Sequence, residues 1–289
     1  MELLSSSRIS PVWPSARSRV VGVMGDPVGH SLSPLLHNAA FDAMGIDWVS
    51  VAFRVTLEEC EAAIAGIRAL GVAGMSVTMP LKSRVAELAD ELEPTANCLR
   101  SVNCLMLQGS SVVGDSTDGA GFVDSLSMAG MDDLGGMRCA VYGTGGAARA
   151  VAYALGQEGV ADIAIIGRSP GSVENAVKII GSPARGGSND DITGSDLVVQ
   201  ATPVGMHNIG DMPFDPDLLR PGQLLVDLIY HPRETALMIA ASARGIKTIN
   251  GMGMLVHQAA RQISKWCGIP APVDAMWEAM VDSQSTARR

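Results

Sequence analysis

The feature that most constrains the fold is a glycine-rich turn between a strand-like stretch and a helical pattern. Residues 139–142 form an apolar run, and the sequence Gly-Thr-Gly-Gly-Ala-Ala follows at 143–148. Gly143 permits a tight turn, Gly145 lets a ligand approach the backbone, and Ala148 lets the helix pack close to the sheet. A tight turn of small residues is the alternative, but the strand before it and the helix after it favour a dinucleotide site.

The next predicted strand ends in residues that favour a phosphorylated coenzyme. NAD sites usually place an acidic residue about 20 positions beyond the first glycine, whereas this strand ends in Gly-Arg-Ser at 167–169. An arginine and a hydroxyl suit a 2′-phosphate, which a carboxylate would repel. Arg168 as a solvated turn residue is the other interpretation. We expect NADP, bound by residues of these two loops: Gly143, Thr144, Gly145, Gly146, Ala147, Arg168 and Ser169.

Strand-like and helix-like segments alternate along the 289 residues, which predicts an α/β fold with two domains. The first half predicts strands at 20–24, 48–53, 73–77 and 102–107, and helices at 34–44, 57–70 and 81–92. The second half predicts strands at 139–142, 163–166, 197–200, 224–229 and 247–249. We expect a loop at 181–194, and two C-terminal helices within 251–280 that are broken at 268–270.

Composition and charge exclude several classes of function. The net charge is −9 and no long basic run occurs, so we expect no nucleic-acid partner. No apolar run reaches the length of a membrane helix. The five scattered cysteines and five histidines show no metal-ligand spacing, so we expect no metal. The odd number of cysteines, without a CxxC pair, suits a reducing cytoplasm. Ser, Pro and Arg dominate residues 1–18, which we interpret as a mobile arm.

Two serines stand at the start of the first predicted helix. The pair Ser33-Pro34 predicts an N-cap followed by the first helical residue. Ser31 is a further hydroxyl that such a cap does not need. Two hydroxyls beside a helix N-terminus can both donate to a carboxylate, which predicts an anion site without an arginine.

Five blocks of sequence, in the same order, resemble those of the shikimate dehydrogenase family. They lie at residues 25–38, 76–82, 101–103, 116–119 and 251–258. The glycine-rich turn and residues 201–206 and 227–230 match as well. The resemblance implies a two-domain enzyme that reduces 3-dehydroshikimate to shikimate with NADPH. It also implies a discontinuous substrate domain, formed by 19–117 and 251–289 and closed by the C-terminal helices. Residues 118–250 would form a Rossmann-type NADP domain, with a cleft between the two domains.

The resemblance implies that Lys82 and Asp118 are the catalytic pair. Reduction of a ketone requires a proton donor as the hydride arrives, and a partly desolvated lysine can serve. A solvated surface lysine and a helix N-cap are the alternatives for these two residues. By the same resemblance Ser31 and Ser33 bind the substrate carboxylate, and Thr78, Asn103 and Gln258 bind its hydroxyls. Gln258 also shares an apolar helix face, where a hydrogen bond within the fold is an equal possibility.

Further site residues are expected where strands of the second domain end, the edge at which doubly wound sheets bind ligands. Tyr230 is predicted to meet the substrate. Thr202 and Ile229 are predicted near the nicotinamide, and Gly251 is also assigned to the coenzyme site.

Some positions depart from the commonest pattern of the family. Serines occupy positions 76 and 116 in place of Asn, Leu81 replaces His, Gly167 replaces Asn, and Ser172 replaces Arg. Quinate or aminoshikimate therefore remain alternative substrates. A non-catalytic nucleotide sensor on this fold is disfavoured by the retained Lys82 and Asp118, and a folate-linked dehydrogenase by the paired serines. We expect a monomer or a homodimer.

Overall fold

The computed structural model describes residues 13–286, with side chains as far as Ser283. The chain forms two compact units. Unit 1 comprises the chain up to Thr117 together with the segment from Gln258 onward, and unit 2 is Asp118–His257. The predicted arm, 1–18, lies outside the described residues as far as position 12. Residues 15–18 form a turn in which the Ser18 hydroxyl donates to Asp47.

Six strands form the mixed sheet of unit 1. They are β1 (Arg19–Gly25), β2 (Trp48–Arg54), β3 (Gly74–Val77), β4 (Glu91–Leu92), β5 (Cys104–Gln108) and β6 (Ser111–Asp115). Their order across the sheet is β2-β1-β3-β5-β6-β4. β1 runs parallel to β2 and β3, whereas β5 runs antiparallel to β3 and β6. The continuous apolar run of β1 suits this position, because a central strand is covered on both faces.

Four helices of unit 1 lie between these strands. They are α1 (Ser33–Met44), α2 (Cys60–Leu70), α3 (Lys82–Leu88) and α4 (Pro94–Leu99). α1 and α2 end at Gly45 and Gly71, each with φ of 65°, the left-handed conformation that glycine adopts without strain. The core beneath the sheet is built from apolar side chains of α2, α3 and strands β3, β5 and β6.

Two predictions for unit 1 were wrong. The predicted helix 81–92 stops at Leu88, because Ala89 is extended and residues 91–92 pair with β6 instead. The strand β6 has no counterpart among the predicted elements. It forms a hairpin with β5 through the two-residue turn Gly109-Ser110, where Gly109 has φ of 63°. A Gly-Ser pair after an apolar run is a turn signal that could have indicated this hairpin.

Unit 2 contains a six-stranded sheet in which every pair is parallel. Its strands are β7 (Arg138–Tyr142), β8 (Asp162–Ile166), β9 (Ala184–Gly186), β10 (Leu197–Gln200), β11 (Leu224–Asp227) and β12 (Lys247–Asn250). The order β12-β11-β10-β7-β8-β9 runs outward in both directions from β7 and β10. This is the doubly wound arrangement, and the predicted Rossmann-type fold is confirmed.

Helices cover both faces of the second sheet. They are α5 (Asp118–Met128), α6 (Gly146–Gln157), α7 (Pro170–Ile180), α8 (Asn189–Thr193) and α9 (Ala236–Ala243). Cys139 and Val141 of β7 point into one core and Ala140 into another, as the alternation of a strand requires.

The segment 181–194 is not the loop that the sequence predicted. It contains β9, which pairs with β8, and the short helix α8. The Ser188 hydroxyl accepts from Asp190 N–H, and the Asp191 carboxylate accepts from Ser188 N–H. Arg185 forms ion pairs with Asp162 and Asp191. Ser and Asp, which indicated a loop, act here as helix caps.

The two C-terminal helices are confirmed, as is the break between them. They are α10 (Met252–Cys267) and α11 (Val273–Thr286). The first part of α10, up to His257, belongs to unit 2, and Met254 packs in its core. From Gln258 the helix belongs to unit 1. The change of domain therefore falls within the helix, whereas the sequence placed it at Gly251, before the helix begins.

Candidate active site

The glycine-rich turn lies where the strand order of unit 2 reverses. Gly143 directly follows β7 with φ of 140°, and a Cβ there would lie 2.8 Å from the carbonyl oxygen of Ala201. Ala201 in turn directly follows β10. The position therefore requires glycine for its φ and for the close approach of two chain segments.

The N-terminus of α6 faces open space. Gly145 precedes the helix with an extended backbone, no side chain caps it, and a Cβ on Gly145 would meet no atom within 4 Å. The first N–H groups of a helix, here those of Gly146 and Ala147 among others, have no partner inside the helix. Unblocked N–H groups at the positive end of a helix fit the pyrophosphate of a dinucleotide.

The loop after β8 lies against the glycine-rich turn. A Cβ on Gly167 would be 2.8 Å from Thr144 Cγ2 and 3.1 Å from Val173 Cγ2. The threonine methyl group therefore occupies the space that a side chain at position 167 would need. Arg168 and Ser169 follow and are exposed, and Ser169 is the N-cap residue of α7 without a side-chain cap bond.

A buried glutamine fixes the loop after β10. Gln200 is fully buried, and its Nε2 donates to the carbonyl oxygens of Thr202 and Val204 at 2.9 and 3.1 Å. Its Oε1 accepts from Thr202 N–H at 2.7 Å. Thr202, predicted near the nicotinamide, is held in place by these bonds.

Asp227 has the same role at the end of β11. Its buried carboxylate accepts from the Ile229 N–H at 3.1 Å and from the Thr235 hydroxyl at 2.7 Å. Burial raises the pKa of Asp227 to about 6, and the two hydrogen bonds act in the opposite direction. The carboxyl group thereby ties the segment 228–235 to the sheet.

The backbone of Gly251 contacts the segment 228–235. Its N–H donates to the carbonyl oxygen of Ile229 at 3.0 Å. A Cβ on Gly251 would lie 2.0 Å from the carbonyl oxygen of Leu228, so a larger residue would displace the backbone. Tyr230, one residue after Ile229, is partly buried, and burial raises the pKa of its phenol.

In unit 1 the order of the strands brings four chain segments to one edge of the sheet. β1 and β3 are parallel, so the segments that follow Gly25 and Val77 leave at the same edge. β5 is antiparallel to both, so it begins at that edge, where Val77 N–H donates to the Asn103 carbonyl oxygen at 2.8 Å. Cys104 pairs with Asp115, so β6 ends there as well.

The two serines of the first segment are placed differently from the prediction. Ser33 is not an N-cap: it is the first residue of α1, Leu32 is the cap position, and Pro34 follows within the first turn. The Ser31 hydroxyl accepts from Ser33 N–H at 3.3 Å. Ser31 thus provides an acceptor for one N–H group at the start of α1. Its position two residues before Ser33 is that of a serine turn. Ser33 is buried and Ser31 is half-buried.

Thr78 and Lys82 lie in the second segment. Thr78 N–H donates to Met24 O at 3.0 Å, and a Cβ on Gly25 would be 2.4 Å from Thr78 Cγ2, so β1 must carry glycine where the threonine packs. Lys82 is the first residue of α3 and is half-buried. Its carbonyl oxygen accepts from Val102 N–H at 3.0 Å, which fixes the lysine backbone beside the start of β5.

Asn103 is the centre of a buried cluster. Its Oδ1 accepts from Thr117 N–H at 2.7 Å, and its Nδ2 donates to Gln258 Oε1 at 3.2 Å and to Thr117 Oγ1 at 3.0 Å. The Thr117 hydroxyl also lies 3.1 Å from the carbonyl oxygen of Gln258. The hydrogen bond within the fold that was an alternative for Gln258 is therefore present.

The predicted site residues divide between the units. Unit 1 holds Ser31, Ser33, Thr78, Lys82, Asn103 and Gln258. Unit 2 holds the others: Asp118, Gly143, Thr144, Gly145, Gly146, Ala147, Arg168, Ser169, Thr202, Ile229, Tyr230 and Gly251. Asp118 is the buried first residue of α5 and directly follows Thr117 in the chain.

Four residues that position the site were not predicted from the sequence. Thr117, Gln200, Asp227 and Gln262 are all buried and hydrogen-bonded to site residues or their neighbours. The available signal was a polar residue at the end of an apolar strand, or one turn from another polar residue on an apolar helix face.

Residues 13–286 carry neither a membrane-spanning helix nor a metal-ligand cluster. Within this range no helix is both long and apolar enough to cross a membrane. Over the same residues, no three side chains of His, Cys, Asp or Glu are grouped as a metal ion would require.

The sheet of unit 2, with the glycine-rich turn at its reversal point, defines an α/β protein with a dinucleotide-binding domain. Residues 23–105 match the family model of the shikimate dehydrogenase substrate binding domain, and residues 251–281 match that of the shikimate 5′-dehydrogenase C-terminal domain. The shikimate dehydrogenase (NADP(+)) of Moorella thermoacetica is 38% identical over 275 residues, which cover 90% of this chain and 92% of that protein. The chain therefore belongs to the shikimate dehydrogenase family, which confirms the resemblance.

Solved structures agree with this assignment. The shikimate 5-dehydrogenase of Thermus thermophilus, in complex with NADP(H) and shikimate, has a TM-score of 0.84 and 30% identity, and the match covers 90% of this chain and 98% of that one. The quinate dehydrogenase of Corynebacterium glutamicum, in complex with NAD, also has a TM-score of 0.84, with 28% identity over 92% of this chain and 99% of that one.

Proposed function

We propose that the protein catalyses the reversible, NADPH-dependent reduction of 3-dehydroshikimate to shikimate, a reaction of aromatic amino acid biosynthesis. The observation that carries the proposal is the edge of the unit 1 sheet. Four chain segments meet there and carry hydroxyl, amide and ammonium groups. Backbone pairing and hydrogen bonds at Gly25, Val77 and Thr117 fix the positions of these segments. Family membership and relatives named shikimate dehydrogenase (NADP(+)) support the same reaction.

The proposed substrate contacts follow from the chemistry of the groups. The hydroxyls of Ser31 and Ser33, at the N-terminal end of α1, suit a carboxylate, because both are donors at the positive end of a helix. Thr78, Asn103 and Gln258 suit the hydroxyls of a polyol ring, because each can donate or accept. Tyr230 is proposed as a further substrate contact from unit 2.

We assign the proton transfer to Lys82 and Asp118. A bound NADPH supplies the hydride that reduces the carbonyl carbon. Lys82 donates a proton to the carbonyl oxygen as negative charge develops there, and in the reverse direction it accepts the proton of the hydroxyl group. Asp118 is proposed as the carboxylate partner of the Lys82 ammonium.

The coenzyme contacts are proposed for loops at the strand ends of unit 2. Gly143, Gly145 and the first N–H groups of α6, from Gly146 and Ala147, suit the pyrophosphate. Arg168 and the Ser169 hydroxyl suit the 2′-phosphate, and Arg168 is the charged donor. The remaining proposed contacts are Thr144 beside the glycines and, near the nicotinamide, Thr202, Ile229 and Gly251.

A cross-comparison of substrates and coenzymes tests the proposal. Initial rates of coenzyme reduction are measured with shikimate, quinate and aminoshikimate, each with NADP and with NAD. We expect the highest kcat/KM for shikimate with NADP. A higher kcat/KM for quinate or aminoshikimate would contradict shikimate as the preferred substrate. Tighter binding of NADH than of NADPH would overturn the choice of coenzyme. Binding of NADPH without turnover of any substrate would indicate a nucleotide sensor.

We propose a cytoplasmic location and a monomeric or homodimeric state. All five cysteines are free thiols, and Cys60, Cys104 and Cys139 are buried, which suits a reducing compartment. Size-exclusion chromatography with light scattering tests the oligomeric state, and a mass above that of two chains would contradict it.

A further inference from the structure

Two polar residues end neighbouring strands of unit 2. Asp227 is the last residue of β11 and Asn250 is the last residue of β12, and the two are partners in the parallel ladder. The segment 228–235 leaves β11 at this edge and contains no helix or strand. Its conformation therefore depends on individual hydrogen bonds to neighbouring parts of the chain. Asn250 makes one of these bonds, and it is not among the proposed contacts with substrate or coenzyme.

The side-chain amide of Asn250 joins this segment to the start of α10. Its Nδ2 donates to the carbonyl oxygen of Arg233 at 3.0 Å, and its Oδ1 accepts from Met252 N–H at 3.1 Å. A carbonyl oxygen requires a donor and an N–H requires an acceptor, so the two backbone groups determine how the amide is turned. An aspartate at this position would keep the acceptor and lose the donor. The two bonds together therefore require an amide.

Tyr230 lies between two anchored points of the segment. On one side, the carbonyl oxygen of Ile229 accepts from Gly251 N–H at 3.0 Å. On the other side, the carbonyl oxygen of Arg233 accepts from Asn250 at 3.0 Å. Tyr230 directly follows the first point, precedes the second by three residues, and is half-buried. Loss of the bond at Arg233 would leave the stretch that carries the tyrosine anchored on one side, so the direction of its side chain depends on Asn250.

We propose that Asn250 is a positioning residue that fixes Tyr230 for substrate through the backbone of Arg233. The donor group of the Asn250 amide has this role, and the acceptor group serves the start of α10. The inference rests on the proposed substrate contact of Tyr230. It adds that a residue without substrate contact sets the affinity for substrate, by a bond from its side chain to a backbone carbonyl.

Hydrogen exchange tests the anchor without any need for activity. Mass spectrometry of the full-length protein compares the wild type with Asn250→Asp in peptides from 228–235 and from the start of α10. We expect exchange in 228–235 to be about fivefold faster in the variant, because the segment opens more often. Exchange at the start of α10 should be unchanged, because the aspartate still accepts from Met252 N–H. Unchanged exchange in 228–235 would overturn the inference.

Two variants of Asn250 separate the lost donor from a change of charge. Asn250→Asp loses the donor and gains a charge, whereas Asn250→Ser is too short to reach Arg233 and has no charge. We expect both to raise KM for shikimate about fivefold, the effect of one lost hydrogen bond. Asn175→Asp, which replaces an exposed asparagine on α7, is the control for the added charge and should keep the wild-type KM. A wild-type KM in either folded variant of Asn250 would contradict the role of its donor.

A double-mutant cycle tests whether Asn250 acts through Tyr230. Tyr230→Phe removes the phenol hydroxyl and keeps the ring. In this background we expect Asn250→Ser to leave KM for shikimate within about twofold of the value for Tyr230→Phe alone. Equal effects of Asn250→Ser in both backgrounds would overturn the inference. Absence of turnover in the wild type would refute the proposed function, and hydrogen exchange would still decide whether Asn250 anchors the segment.

Discussion

Asp227 allows the cost of one buried charge to be measured in the folded protein. Burial raises the pKa of its carboxyl group from 3.8 to about 6, because desolvation outweighs the hydrogen bonds from Thr235 and Ile229. In the unfolded chain the same group ionises at its ordinary pKa. At every pH at which the carboxyl of the unfolded chain is ionised, folding must therefore either protonate this group or bury its charge, and both cost free energy.

The magnitude and sign follow from the two pKa values. The difference between 3.8 and about 6 corresponds to about 3 kcal/mol. Because the folded pKa is raised, the stability contribution is fully present below the unfolded pKa and is lost as the pH rises through about 6. About half of the loss has occurred by about pH 5. From there to about pH 8, we expect the wild type to lose about 1.4 kcal/mol relative to Asp227→Asn, which cannot ionise.

Urea unfolding at the two pH values measures this difference. All four tryptophans lie outside Asp118–His257, so far-UV circular dichroism is the signal that reports on unit 2. Glu174→Gln, which replaces an exposed carboxylate on α7, is the control for loss of a surface charge. A constant difference for Asp227→Asn, or one that favours the wild type at higher pH, would refute the reasoning.

Three further predictions concern ligand binding. Ser31→Ala should raise KM for shikimate about tenfold and cost only about 1 kcal/mol of unfolding free energy, since its hydroxyl accepts one bond from Ser33 N–H; an unchanged KM in steady-state kinetics would remove Ser31 from the site. Gly167→Ala places a Cβ 2.8 Å from Thr144 Cγ2, so NADPH titration should show weaker binding that Thr144→Ala restores in the double variant, and failure of this rescue would disprove the steric coupling. Arg168→Ala should weaken NADPH binding by about tenfold more than NADH binding in paired titrations, and equal losses would exclude a 2′-phosphate contact.

The unit 2 fold was predictable because several local signals agree there. The run at 139–142, the glycines at 143 and 145 and the helix after them specify one strand–turn–helix geometry, and the structure has it. Short elements were not predictable in this way. β4 has two residues and β9 has three, so neither has a period of its own, and each exists because a neighbouring strand pairs with it.

The site was predictable as a set of residue types but not as a set of partners. Ser31, Thr78 and Asn103 were selected from sequence blocks, yet the bond between Asn103 and Gln258 joins positions 155 residues apart. No local pattern specifies such a bond, because it depends on α10 packing on the first sheet. Gln262 could not be predicted for the same reason: a glutamine in a helix usually faces solvent, and this one is fully buried.

The measurement that tests the central claim most directly is the kinetics of Lys82→Ala with shikimate and NADP. A proton donor accounts for about 10²- to 10⁴-fold in rate, so we expect kcat to fall by that factor while NADPH affinity stays within about twofold of wild type. Lys178→Ala, an exposed lysine on α7, is the matched control and should retain wild-type kcat. A Lys82→Ala variant with kcat near that of the wild type would contradict the proposed mechanism.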